Sequence, residues 1–265
     1  MRRGTPRLGQ HFLNNPTVAD TLIEAAAITE GSRVLEIGPG TGALTRKLLA
    51  TGASVTAIER DATLVTQLHE TFSGEISAGK LLLVEDDIRN IDASTLGYRG
   101  GDYILAANIP YYITGEIIRT FLTASAQPMT MCLLIQREVA QRIVAKNNKE
   151  SLLSLSVKAY GTPLYIRTVT RGNFTPPPAV DSAILAIKGI SRNFFVEMNE
   201  ETFFEMLHAG FGSKRKLLIR NLEKIASIDE LRVAFTTSKI SPQSRAEDLS
   251  LEEWGLLTRT IQNRL

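Results

Sequence analysis

The sequence predicts an α/β fold: a mostly parallel sheet with an antiparallel hairpin at one edge, then a small all-α C-terminal domain. Three observations carry this. Short apolar runs at residues 32–37, 54–58, 81–85 and 102–107 alternate with stretches of helical period, the pattern of parallel strands joined by right-handed crossovers. Two more apolar runs, 163–169 and 180–188, flank a proline-rich loop and read as an antiparallel pair closing the sheet. Beyond residue 191 only helical periodicity remains, at 200–210, 213–226, 228–235 and 250–263. The boundary falls near Gly189-Ile190-Ser191-Arg192 and divides the chain into residues 1–190 and 191–265.

Each element has a local reason. Asn15-Pro16 starts a helix with proline at its first position, and Val18, Leu22 and Ala26 share a face. Residues 32–37, bounded by Gly31 and Gly38, read as a buried strand. Residues 43–50 follow as a helix with Leu44, Leu48 and Leu49 inward. Strand 54–58 ends in Glu59, strand 81–85 delivers Asp86 and Asp87, and strand 102–107 ends at Asn108. A fifth strand, 131–136, leads into a helix marked by Val139 and Ile143 and ended by Asn147-Asn148. Residues 151–160 form another helix.

The glycine turn Glu36-Ile37-Gly38-Pro39-Gly40-Thr41-Gly42 lets backbone approach a ligand without Cβ interference, and the next helix aims free N–H groups at whatever lies over it. Its Gly-x-Gly-x-Gly spacing is not the dinucleotide fingerprint, and no Gly-Lys-Ser/Thr ending marks a phosphate loop. Glu36 would repel a pyrophosphate and suits a cationic sulfonium, which favours S-adenosylmethionine over NAD. Glu59 is placed to accept ribose hydroxyls, and Asp87, in preference to Asp86, an adenine amine. Both aspartates are also suited to capping the next turn. Asn108-Ile109-Pro110-Tyr111 then offers the Asn108 amide oxygen and a backbone carbonyl of Ile109 or Pro110 to the hydrogens of an exocyclic amine. Tyr111 is the stacking surface for the base, worth about 1–3 kcal/mol. The chemistry this suggests is methyl transfer to a nucleobase nitrogen, by positioning and electrostatics with no metal. A target base would have to leave its helix to enter.

Four motifs occur in order: Gln10-His11-Phe12-Leu13-Asn14, the glycine turn, Asn108-Ile109-Pro110-Tyr111-Tyr112-Ile113, and Phe174-Thr175-Pro176-Pro177-Pro178-Ala179-Val180-Asp181-Ser182. In this the chain resembles the small-subunit branch of the ribosomal RNA adenine N6,N6-dimethyltransferases, over residues 7–265. The resemblance implies a Rossmann-like class I methyltransferase sheet and S-adenosyl-L-methionine as cofactor. It implies dimethylation of two adjacent adenosines in the 3′-terminal hairpin of 16S ribosomal RNA, either as bare RNA or in an immature small subunit, four transfers in all, by a monomer. It places cofactor contacts on His11, Leu13, Gly38, Glu59, Asp87 and Asn108, and catalysis on Asn108, Pro110, Tyr111 and Phe174, the last as the second wall of the adenine pocket. Three positions depart from the pattern: His11 stands where Asn is usual, Ala179 where Lys is common, and Gly115 where Ser or Thr is usual. Large-subunit relatives share the first three motifs, so the distinction rests on the triple proline, Asp181 and the C-terminal segment.

Composition fits a soluble cytoplasmic enzyme. The 265 residues, 43% hydrophobic, suffice for one large core and a smaller one. A single cysteine, Cys132, excludes a disulfide framework and a cysteine zinc site. No apolar stretch approaches the roughly 18 residues of a membrane span, and the basic start, Met1 to Arg7, lacks a signal core. That start reads equally as an arm contacting phosphates or as a frayed terminus. Net charge is only +2, so RNA binding must rest on clusters. A helix over 213–226 capped by Ser213 would put Lys216, Arg220 and Lys224 on one stripe, opposite Leu218, Leu222 and Ile225. Lys214, Arg215, Lys216 and Arg220 are candidate RNA contacts, as are Arg142 and Lys146 in a second basic region with Arg137 and Lys149. The residues alone leave two other classes open: another enzyme, either a Rossmann oxidoreductase or a small-molecule methyltransferase, and a non-catalytic nucleic-acid-binding or ribosome-assembly factor on the same scaffold.

Overall fold

The computed structural model describes residues 11–262; Gln10 and the basic start of the chain lie outside them, as do residues 263–265. The described chain forms two compact units. One runs to Ala140 and resumes over Thr162–Ile190; the other takes Gln141–Gly161 and the chain from Ser191 onward.

The first unit contains, in chain order, β1 (Phe12–Leu13), α1 (Pro16–Ala26), β2 (Arg33–Ile37), α2 (Ala43–Ala50), β3 (Ser54–Glu59), α3 (Ala62–Thr71), α4 (Ser73–Ser77), β4 (Leu81–Glu85), β5 (Ile104–Asn108), α5 (Thr114–Thr123) and β6 (Thr130–Gln136). α6 (Arg137–Ile143) carries the chain out of this unit and α7 (Leu152–Lys158) belongs to the other; β7 (Thr162–Val169), β8 (Phe174–Thr175) and β9 (Ser182–Lys188) complete the first. The main sheet has the order β4-β3-β2-β5-β6-β9-β7. Its strands are parallel from β4 to β6, while β9 runs antiparallel to both neighbours. The mostly parallel sheet with an antiparallel edge is therefore present as expected.

Sequence pattern explains the packing. Asn15 caps α1 through its side chain and Pro16 occupies the first turn. Val18, Leu22 and Ala26 are buried against Ile104, Ala106, Cys132 and Leu134 of the sheet, each large side chain worth about 1.5–3 kcal/mol. The central strands read as continuous apolar runs because helices cover them. From β2 the chain winds outward through β3 and β4, then returns to place β5 on β2's other side. That reversal opens a crevice beyond the carboxyl ends of β2 and β5, where ligands bind in open α/β sheets. Among the described residues no helix is long and apolar enough to cross a membrane.

The second unit is helical: α7, α8 (Glu200–Gly210), α9 (Leu218–Asn221), α10 (Ile228–Thr237) and α11 (Leu251–Gln262). Besides the chain from Ser191 onward, it draws in residues 141–161. The reason lies in side chains. Tyr160 packs on Phe195 and Phe204 and donates its hydroxyl to Glu200, while Lys149 pairs with Asp248.

One element differs outright. The expected 213–226 helix capped by Ser213 is a turn over residues 213–217, then the four-residue α9, then a 3-10 turn at Leu222–Lys224. The Leu218 N–H donates to Ser244 O at 2.8 Å, and the buried Asn221 amide donates to Gly210 O and Ser213 O. Those bonds replace the helical ladder, and the Lys216–Arg220–Lys224 stripe does not form. Similarly, α6 stops at Ile143, short of Asn147-Asn148; Ala145 and Asn148 adopt φ +54° and +57°, outside helical geometry.

Candidate active site

The glycine turn after β2 takes a left-handed backbone shape that glycine adopts without strain. Gly40 and Gly42 have φ of +59° and +79°. A Cβ on Gly40 would stand 2.9 Å from the Phe12 ring, and one on Gly42 would stand 2.5 Å from Phe72. The turn is held from beneath by Glu59 at the end of β3. Its Oε2 accepts the Gly40 N–H at 3.2 Å, and its Oε1 accepts the N–H groups of Arg60 and Asp61 at 3.0 Å each. About one of the carboxylate's four acceptor sites stays open.

Glu36, on β2 just before the turn, is 1% exposed. Among the described residues its Oε2 has no hydrogen-bond partner. Burial, with the charge of Glu59 nearby, pushes its pKa up to about 8; Thr45 tempers the rise, yet among the described residues the Thr45 hydroxyl also lacks a partner of normal geometry. An orphaned buried carboxyl beside a bare glycine turn is what a cationic ligand would satisfy.

At the end of β4, Asp86 and Asp87 both cap the next turn. Asp86 Oδ1 accepts the Asp87 N–H and the Asn90 side-chain amide. Asp87 accepts the Arg89 N–H and is gripped bidentately by the Arg89 guanidinium at 3.0 and 2.6 Å, with Arg60 at 3.5 Å. Arg89 holds the Asp87 carboxyl well below the usual carboxylate range, so it stays ionised.

Asn108 ends β5. Its Nδ2 donates to His11 O at 2.9 Å, and among the described residues its Oδ1 accepts no hydrogen bond. The Pro110 carbonyl accepts the Ile113 N–H in the 3-10 turn that follows. Of the two candidate carbonyls this leaves Ile109's the better placed. Tyr111 is half-buried, its hydroxyl 2.7 Å from Ser182 Oγ. Burial raises its pKa despite that bond, so the ring is a neutral surface and not a base.

The fourth motif reaches this place through a two-stranded ladder. β1 pairs with β8, Leu13 opposite Phe174 and Phe12 opposite Thr175. The His11 ring Nδ1–H donates to Pro176 O at 2.8 Å, and Asn14 and Asn15 bond to Thr175 and Asn173. Phe174 is thereby buried at the cleft wall. His11, Leu13, Gly38, Glu59, Asp87, Asn108, Pro110, Tyr111 and Phe174 all line one cleft.

The candidate RNA residues lie elsewhere in the chain. Lys214, Arg215 and Lys216 sit exposed on the turn before α9, Arg220 pairs with Glu223, and Arg142 is exposed near the end of α6. Lys146 is exposed as well. Arg137 and Lys149 are already paired with Asp181 and Asp248. Of the departures, Ala179 is exposed in the proline loop, and Gly115 follows Thr114 in the first turn of α5. Sequence reasoning assigns no role to Ser182, Arg60 or Arg89. Ser182 stands within a quoted motif, and a basic residue two positions after Asp87 is the available signal for Arg89. Cys132 is buried with its thiol pushed up to about 12, which suits core packing and not nucleophilic work.

Comparison with known proteins finds relatives along nearly the whole chain. The family model described as ribosomal RNA adenine dimethylase matches residues 1–263. A Ribosomal RNA small subunit methyltransferase A from Dehalococcoides mccartyi (strain CBDB1) is 39% identical over 252 residues, covering 94% of this chain and 86% of that protein. One from Rippkaea orientalis is 36% identical, covering 97% of each. Among solved structures, a dimethyladenosine transferase from Plasmodium falciparum superposes with a TM-score of 0.76 at 26% identity, over 93% of this chain and 96% of that one. The 23S rRNA methyltransferase ErmE, at 22% identity and a TM-score of 0.77, shares the fold over 95% of this chain and 99% of its own. A match across nearly the whole length, with the motifs meeting in one cleft, makes this chain a member of the ribosomal RNA adenine dimethylase family.

Proposed function

We propose that this chain uses S-adenosyl-L-methionine to dimethylate N6 of two adjacent adenosines in the 3′-terminal hairpin of 16S ribosomal RNA. The substrate is the immature small subunit, the enzyme acts as a monomer in the cytoplasm, and four methyl transfers complete the reaction. The small-subunit assignment rests on the relatives named above, which carry that description.

The residues present fit the cofactor. Gly38 and Gly40 give its approach, Glu59 keeps about one acceptor site for a ribose hydroxyl, and Leu13, His11 and Asp87 complete the lining. Glu36 offers a buried carboxyl to positive charge. When bound, the sulfonium supplies an already activated methyl group, so no metal or strong base is required.

The observation that carries the proposal is the orientation of Asn108. Because Nδ2 is committed to His11 O, Oδ1 is the end left to accept a hydrogen from an adenine amine. With the Ile109 carbonyl as second acceptor, the amine is drawn toward a pyramidal, nucleophilic form. Tyr111 and Phe174 hold the ring flat between them, and the cleft admits the base only after extrusion from its helix. Residues on the turn before α9, with Arg142 and Lys146, supply phosphate contacts.

Asn108→Ala tests this. Methylation of small subunits from cells lacking the enzyme is expected to fall by about 10²–10³-fold or more, with subunit binding retained. Undiminished methylation would remove Asn108 from the chemistry.

A further inference from the structure

The chain has six tyrosines, and five place their hydroxyls on partners within the fold. Tyr98 bonds Val34 O, Tyr103 bonds Ala126 O, Tyr111 meets Ser182, Tyr160 meets Glu200 and Tyr165 meets Thr168. Tyr112 is different. It is 65% exposed, its hydroxyl bonds nothing among the described residues, and no other described ring packs on it. Yet it lines the rim of the cleft, one position beyond Tyr111, within electrostatic reach of Arg89. A large aromatic surface left in water contributes little to stability. At a cleft mouth it is a ready stacking platform, since every base has a π-face.

The proposed substrate creates a need for such a platform. Extruding one adenosine breaks its stack with the next, and the neighbour loses a face it had covered. We propose that Tyr112 is a positioning residue that stacks on the base adjacent to the extruded adenosine, a second nucleobase subsite outside the methyl-transfer pocket. A fixed ring meets only one side of the extruded nucleotide, so it stacks on the partner adenine in one turn and on the base flanking the pair in the other; every base offers it a π-face. Tyr112 touches neither the reacting nitrogen nor the cofactor in this scheme, so its effect belongs in substrate affinity and not in the chemical step. The inference rests on the adenosine-pair reading above.

The test is a two-by-two comparison with the full-length chain. One axis is wild type against Tyr112→Ala, with Tyr112→Phe and Tyr112→Trp as conservative variants. The other axis is unmethylated small subunits reconstituted with 16S RNA carrying either the adenosine pair or one adenosine with an abasic residue on each side. With the pair, Tyr112→Ala is expected to raise KM about ten-fold at unchanged kcat, while Phe and Trp restore it. On the abasic substrate the Tyr112→Ala penalty is expected to vanish, because no base remains to stack. Binding of S-adenosylhomocysteine and the melting temperature report the fold and are expected to match wild type. An equal penalty on both substrates, no penalty on either, or a loss confined to kcat overturns the platform. Failure of the wild-type chain to methylate the adenosine pair at all would instead overturn the reading on which it rests.

Discussion

Glu36 makes a prediction whose size and sign follow from its surroundings. Its carboxyl titrates at about 8 in the fold against 4.5 for a solvated glutamate, so the ionised fold is disfavoured by about 5 kcal/mol relative to a carboxylate in water. Between those pH values the folded state holds a proton that the unfolded state has released. Stability is therefore intact below about pH 4.5 and falls as pH rises, with the loss complete above about pH 8. Glu36→Gln removes the ionisation, and whatever fixed cost the amide brings cancels when the two proteins are compared across pH. Urea unfolding of both, without ligand, from about pH 5 to 9 is the assay. The variant is expected to gain on wild type by about 1.4 kcal/mol per pH unit up to about 8, then level off. A difference independent of pH would show Glu36 ionised and hydrated in the fold, and the reasoning from its unpartnered oxygen would fail. Ligand binding supplies a cross-check. A cation beside Glu36 favours the carboxylate, so S-adenosylmethionine affinity should rise with pH over the same window in wild type and stay flat in Glu36→Gln.

Two further outcomes are expected. Gly40→Ala forces a side chain into φ +59° and against Phe12, at a cost of about 1–2 kcal/mol. The melting temperature should drop by about 2–4 °C or more and cofactor affinity should weaken with it; wild-type behaviour in both would show that the turn relaxes freely. Replacing Lys214, Arg215 and Lys216 together by Gln should weaken subunit binding and flatten its salt dependence, by about 0.7 in log–log slope for each phosphate no longer neutralised. An unchanged slope would take that turn out of the RNA interface.

The sheet is legible because buried parallel strands are written as apolar runs, and each ends on or within two residues of one that lines the cleft: Ile37 before the glycine turn, Glu59, Asp87 and Asn108. Their convergence follows from topology alone, since the winding direction reverses between β2 and β5. The second unit is less legible. Residues 213–226 have a helix-like spacing of leucines and lysines, but spacing says nothing about competitors for the backbone. Ser244, distant in sequence, takes the Leu218 N–H, and Asn221 turns its amide back to Gly210 O. Both are tertiary bonds, invisible to periodicity. Residues 141–161 fall on the sheet's side of the sequence boundary for a related reason. Tyr160 and Lys149 look ordinary in one dimension, while their partners Glu200 and Asp248 lie 40 and 99 residues away.

The hydrogen bonds at the cleft also explain how a departure at position 11 can leave the site intact. Asn108 engages His11 through its backbone carbonyl, a contact any side chain at position 11 could permit. The imidazole faces the other way in bonding terms, to Pro176 O, where it helps fasten the loop that carries Phe174. Position 11 thus joins the strand-end asparagine to the loop that carries Phe174, using main chain for one bond and side chain for the other.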